Sequence, residues 1–474
     1  MVVLGQWLPS MLLLVALNVG AHGFDERYDL PAPLSYFVVG AVLAVGLSFV
    51  LTVFLGRANS QGFAQKEQPP ISVSIAPYLP SYWLGFTRII GLTIFLVILV
   101  AAFFGTQDPL MNLVPTIIWI IWWIGFSLLV ACVGDIWIFF DPWRSLYHGA
   151  HKLITNSRNG REIHGLNWHW PSSLGQWPAV LLLVIWAGLE IIYPIATSPF
   201  KVGQLILLWT LVSLIGMFCW RPAKWQHHAD VFAIYFSVLG ARANASNQCM
   251  KVSGSDGFVI AMLSTVLFDG LHGGQAWLIY EKSLQGIAAN WLDTNGYLAG
   301  ALGLVLVWVI LYCAYRLSCM LSIRLLSSKV GKKAPLKAPL TTSAEMARYF
   351  APTLVPIAIS YSVARNISSL LIQGQNFFAL MSDPFGFGWD VFGTANRRAN
   401  IGLIDVKWTW IIALCAIVAG HVVSVCLSHG LALKAEIFNQ RATQSVLPLT
   451  LLMLAITAIS LLVLAEPMVI FVAP

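Results

Sequence analysis

The chain has 474 residues, 58% hydrophobic and only 10% charged, and its mean hydropathy is +0.77. Soluble domains are about 45–50% apolar and about 25% charged, so a soluble globular domain is excluded and a polytopic membrane protein is implied. The net charge of +7 and pI near 9.0 do not point to nucleic acid. The basic residues sit in short loops between apolar spans, where they set orientation in the bilayer.

Apolar runs of the length a helix needs to cross hydrocarbon, about 17–25 residues, lie near 6–21, 34–56, 83–105, 113–134, 177–197, 202–220, 257–276, 297–320, 347–372, 408–430 and 447–470. They predict an all-α transmembrane helix bundle of about eleven spans, or about ten if the first is a cleaved signal. Residues 1–22 are thus a signal-like segment or a first transmembrane helix, and residues 23–474 a single bundle. Within 9–21, PSMLLLVALNVGA resembles a signal core and Val19-Gly20-Ala21 fits a small-residue cleavage site. The start MVVLGQW lacks the positive n-region, which favours a retained helix. Cleavage after Ala21 makes His22 the N-terminus, offering α-amine and imidazole together as a chelate suited to copper.

Loop charge alternates along the chain. After even-numbered spans come Arg57 and Lys66, then Arg144, Lys152, Arg158 and Arg161, then Arg221, Lys224, Arg242 and Lys251. The series continues with Arg324, Lys329, Lys332, Lys333, Lys337 and Arg348, then Lys434 and Arg441. The other connections hold Arg27, Lys201, Lys282, Arg397, Arg398 and Lys407. Even-numbered connections therefore face the cytoplasm, and the C-terminus lies outside. Two cytoplasmic segments, 135–176 and 221–256, are expected at the interface; in the second, ADVFAIYFSVLG is suited to lying along the membrane surface. The exterior segment 373–407 is rich in aromatics and is expected to fold back as a cap. The scattered cysteines lack metal-ligand spacing and fit as small apolar fillers.

Glu190, Asp269, His272, Arg365 and His421 fall inside apolar runs, with Arg88 and Arg316 inside or at the ends of spans. A charge in hydrocarbon costs roughly 2.5–3.5 kcal/mol on the lenient insertion scale, so such residues pair, line a wet cavity or do chemistry. At ~1.5 Å rise per residue, Glu190, Asp269 and Arg365 reach similar depth on three outward-running helices. His272 follows Asp269 by one turn on the same face. The acids are candidates for a base, Arg365 for a charge stabiliser, and the convergence for an outward-facing polar pocket. The structural alternative is an internal ion pair that fixes helix register.

Candidate metal ligands are His22, Asp25, His272 and His421, with zinc or copper as the ion; a partner for a haem ligand at the depth of His421 is lacking, so no haem is expected. Gly420 before His421 invites close approach of a cofactor or helix, and a cross-helix hydrogen bond is the alternative for His421. An inner cluster of Asp135, Asp141, His148, His151, His227, His228, Asp230 and His429 is a second, weaker place for a metal.

The chain resembles a family of bacterial polytopic membrane proteins commonly described as fenitrothion hydrolase. The resemblance rests on Ala21-His22-Gly23 with Arg27-Tyr28-Asp29-Leu30-Pro31, and on Phe140-Asp141-Pro142-Trp143-Arg144. It also rests on Ser264 to Gly270, Leu354 to Ile359, Ser382-Asp383-Pro384-Phe385-Gly386 and Gly420-His421. It implies hydrolysis of an organophosphorus triester, a small apolar substrate, in the bacterial inner membrane. The chain departs from the family at Tyr361-Ser362-Val363-Ala364-Arg365, where similar proteins often carry Tyr-His-x-Ala-His. Other classes fit the same residues: a small-solute or metal-ion permease, a subunit of a larger membrane complex, or a copper-handling protein using His22. Lipid is the expected partner in every case.

Overall fold

A computed structural model describes residues 34–58, 81–157, 165–193, 197–241, 252–287, 297–327, 342–434 and 442–465. Among them the fold is all-helical, with no strand. The first apolar run, the signal reading, His22 and Asp25 lie outside the described residues.

In chain order the helices are α1 (Leu34–Ala58), α2 (Ser81–Phe104), α3 (Leu113–Val133), α4 (Pro142–Ser157), α5 (Trp177–Ile191), α6 (Pro199–Trp220), α7 (Pro222–His228) and α8 (Val231–Gly240). There follow α9 (Ser255–His272), α10 (Gln275–Ile287), α11 (Tyr297–Ser327), α12 (Ser343–Phe350), α13 (Val355–Ile372), α14 (Asn376–Ser382), α15 (Val406–Lys434) and α16 (Ala442–Ala465). Among the described residues eight helical stretches are long and apolar enough to cross a membrane, while α5 and α8 are shorter apolar helices. The predicted spans from 34–56 onward each overlap a helix, but 177–197 meets one that ends at Ile191 and 257–276 one that ends at His272. Neither is among the eight, so among the described residues fewer spans are found than the eleven expected.

Local sequence explains the helix ends. Thr342 and Glu345 form a reciprocal capping box at the start of α12. Buried Asn112 accepts from Val114 N at 2.9 Å and donates to Ala101 O and Thr106 O at 2.8 and 2.7 Å, stapling the end of α2 to the start of α3. The middle of α3, Thr116–Phe126, is wound as a π-helix, a widening often found at functional sites.

The centre of the bundle is α9, buried at every residue from Ser255 to Thr265 and packed against α5, α11 and α13. Its polar side chains therefore meet protein rather than lipid. The segment 231–240 differs from the surface-lying helix expected of it. Seven of the ten α8 residues are buried, and α8 sits among aromatic rings of α3, α4, α5 and α6. Phe232 lies 4.8 Å from Trp122, 5.1 Å from Trp186 and 5.2 Å from Trp209, and Tyr235 stacks on Trp123 at 4.8 Å. At about 15 Å long, α8 is too short to cross the hydrocarbon and ends inside the protein, where irregular backbone is tolerated.

The segment 373–407 is folded around polar side chains. Ser382 Oγ donates to Asp390 Oδ1 at 3.0 Å and accepts from Phe392 N at 2.8 Å. Asp383 accepts from Phe387 N and Gly388 N. Thr106 N donates to Phe385 O at 2.8 Å, which ties the segment to the α2–α3 connection. Gly386, at φ +70°, is required there: a Cβ would come within 2.3 Å of Thr106 Cγ2.

Candidate functional site

Asp269 sits one turn before the end of α9 and Arg365 midway along α13. Their side chains form an ion pair, Arg365 Nε to Asp269 Oδ2 at 3.1 Å. The guanidinium also reaches the Asp269 carbonyl, at 3.5 Å. The pair is incompletely enclosed, with 20% of the Arg365 and 33% of the Asp269 side chain accessible. Glu190, next to the last residue of α5, lies close enough to Asp269 for the carboxylates to repel, and the Trp123 indole approaches its carboxyl. Asp269 and Arg365 are thus brought into contact from two helices, and Glu190 of a third lies within electrostatic reach of Asp269.

His272 shares this end of α9. Its ring sits 5.5 Å from both Phe268 and Trp277, within the electrostatic reach of Asp269. His421 is elsewhere, fully buried in α15. Its Nδ1–H donates to Ile417 O of its own helix at 2.8 Å, instead of bonding across helices. Gly420 admits α13: a Cβ there would meet Ser360 Oγ at 2.2 Å and Pro356 O at 2.7 Å. The close approach is by a helix. Among the described residues, no three His, Cys, Asp or Glu side chains assemble in a way that could hold a metal ion.

A cavity of about 10 Å³ lies one turn inward of the ion pair, bounded by Val266, Ser362, Tyr235 and Ser127 among others. That is room for about one water molecule.

Sequence reasoning missed a second ion pair on the same helix. Asp256, 2% exposed in the first turn of α9, binds Arg316 Nη1 of α11 at 3.1 Å. Tyr312 OH donates to the same Asp256 oxygen at 3.3 Å, and Arg316 lies over the Tyr312 ring. The available signal is Tyr312 and Arg316 at i,i+4 in one apolar run; Asp256 falls just ahead of the 257–276 run. The two pairs are 13 positions apart, roughly 20 Å along α9.

The inner cluster is only partly assembled. Asp141 caps α4, accepting from Trp143 N and Arg144 N, and its other oxygen takes Gln226 Nε2 at 2.6 Å. Asp230 caps α8, accepting from Phe232 N and Ala233 N at 3.1 Å each. Burial raises the Asp230 carboxyl to about 7, and the nearby Asp141 charge adds to the shift. Burial likewise raises Asp141 to about 6, against the helix N–H groups and Arg144, which lower it. Asp135 is raised to about 6, mainly by burial. His148 Nδ1 is committed to Arg144 O, His151 stacks on Tyr147, and His429 packs edge-on to Phe49. The Phe140–Arg144 and Ser382–Gly386 segments therefore have structural work as a helix cap and a turn.

The fold and these buried charges define an all-helical, multi-pass membrane protein. Compared with family models, curated proteins and solved structures, the chain finds no match in any of the three.

Proposed function

We propose that the protein is a proton-coupled permease for a small solute, with Glu190, Asp269 and Arg365 as its proton-binding site. One observation carries the reading: beside the Asp269–Arg365 ion pair a second carboxyl, that of Glu190, lies within electrostatic reach of Asp269. An uncompensated carboxylate at this depth costs roughly 2.5–3.5 kcal/mol, and one proton held between the two acids removes that charge. Ion paths through membranes are built from such groups, and the water-sized cavity at Ser362 offers a relay one turn inward. The loop-charge pattern favours the outer half of the membrane for this site and an exterior C-terminus, and the family resemblance favours a bacterial inner membrane. Purified protein in proteoliposomes carrying an internal pH dye tests the reading. Wild type is expected to move protons down an imposed gradient, and Glu190→Gln to lose most of that flux. Equal flux in wild type, Glu190→Gln and protein-free vesicles rejects it.

A second reading, phosphotriester hydrolysis, follows from the family resemblance. It is favoured by a partly accessible carboxylate beside a guanidinium, a base and a charge stabiliser in contact. Release of aryl product from an organophosphorus triester by wild type, lost in Asp269→Asn, supports it; no release from wild type removes it. A zinc or copper ion at His22 and Asp25, with or without His272 or His421, is a third proposal. N-terminal sequencing and metal analysis of the purified protein decide it. Co-purification under mild detergent tests for a partner subunit.

A further inference from the structure

At the opposite end of α9 from the ion-pair site, an open cavity of about 440 Å³ is built where the 165–176 loop, α7 and the residues before α9 meet. Its polar lining is His169, Ser172, Lys224, His228 and Ser253, and no carboxylate is among the described residues that line it. The lining is held in place by the backbone. Gln176 N donates to Ser253 O at 2.7 Å and Trp168 N to Cys219 O at 2.8 Å. Gln176 Nε2 donates to His227 O, and Trp170 Nε1 to Gly175 O. Gly175 is in the left-handed region, φ +48°, and a Cβ there would strike Ser253 O at 2.1 Å, so only glycine lets the loop close on this segment.

The cationic groups are positioned too. Lys224 Nζ reaches Trp168 O at 3.4 Å, which fixes the amine at the cavity wall and leaves it further donors. The His228 ring stacks on Trp170 at 5.1 Å, and its Nδ1 is committed to Lys224 O at 2.9 Å. Nε2 is then the polar atom the ring has left to offer. One ammonium, two imidazoles and two hydroxyls around a concave space form a donor-rich, anion-seeking set. Trp168, half exposed, and Trp220 beside it give this rim the aromatic character of a membrane–water boundary.

We infer that this cavity binds a phosphate group, carried either by an anionic phospholipid headgroup or by a soluble phosphate ester. Basic pockets between helices at the boundary take lipid headgroups. The experiment uses the full chain in nanodiscs and has two arms. Inorganic phosphate is titrated into zwitterionic-lipid nanodiscs and followed by phosphorus NMR. Lipid retained from a mixture of phosphatidylglycerol and phosphatidylcholine is quantified by native mass spectrometry. Removing one donor to the anionic phosphate is expected to weaken binding about 10-fold or more, as for a hydrogen bond to a charged group. That loss should appear in Lys224→Gln and again in His169→Gln, whose exposed side chain makes misfolding an implausible cause. Loss of phosphatidylglycerol enrichment alone assigns a headgroup. Loss of phosphate binding alone assigns a soluble ester. If wild type neither binds phosphate nor enriches the anionic lipid, or both variants behave as wild type, the inference is wrong.

Discussion

Replacing Arg365 with Gln tests the arrangement at the ion pair. The substitution leaves Asp269 facing Glu190 with no counter-charge. Breaking a fully buried pair by removing one partner costs about 3–5 kcal/mol. Here 20% and 33% of the two side chains remain accessible, so a smaller loss, about 2–3 kcal/mol, is expected. Asp269→Asn in the same chain removes the stranded charge, and the double variant should return to within about 1 kcal/mol of wild type. The coupling between the sites is then about 2 kcal/mol, within the range contacting residues show. Unfolding in mixed micelles of dodecylmaltoside and SDS, followed by tryptophan fluorescence, reads all four corners of the cycle. The chain's 20 tryptophans provide the signal. If Arg365→Gln is as stable as wild type, or the double variant is as weak as the single, the pair does not hold the helices as described.

Other sites give independent expectations. Asp230 has a folded value of about 7 against an ordinary 3.8, so the folded state binds the proton more tightly. Its contribution to stability is present below pH 4 and is lost as pH rises through 7, by an amount on the order of a few kcal/mol. Asp230→Asn keeps the cap on α8 and should flatten that slope in pH-dependent unfolding; an unchanged slope counts against it. Gly420→Ala forces a methyl against Ser360 and Pro356 and should cost about 1–3 kcal/mol. Gly430→Ala, with nothing within 4 Å of the new Cβ, should be neutral or stabilising by up to about 1 kcal/mol. Ser382→Ala should speed hydrogen exchange at Phe392 and Thr394, whose amides donate to its hydroxyl; unaltered exchange would show that the turn is held elsewhere.

Helix positions were legible in the sequence because about twenty consecutive apolar residues have few other uses. Depth arithmetic also anticipated the meeting of Asp269 with Arg365, since rise per residue is nearly constant. The burial of α8 was not legible. ADVFAIYFSVLG is apolar on almost every face, so its periodicity does not distinguish a helix under lipid headgroups from one walled by tryptophans. The Asp256–Arg316 pair was hidden because both residues sit near span ends, where charges are usually solvated. His421 shows a further limit. A histidine in an apolar helix can bond its own preceding turn, here Ile417 O, and the sequence does not separate that from a ligand.

The proton between Glu190 and Asp269 is the centre of the functional account, and infrared spectroscopy of the carboxyl stretch observes it directly. The Asp230 carboxyl is first removed by Asp230→Asn, because at about 7 it is itself part-protonated at neutral pH. In that background the account predicts a remaining protonated-carboxyl band that is lost on adding Glu190→Gln and stronger on adding Arg365→Gln, where a second proton replaces the missing guanidinium. An Asp230→Asn spectrum without that band, or a band indifferent to Glu190→Gln, would contradict it.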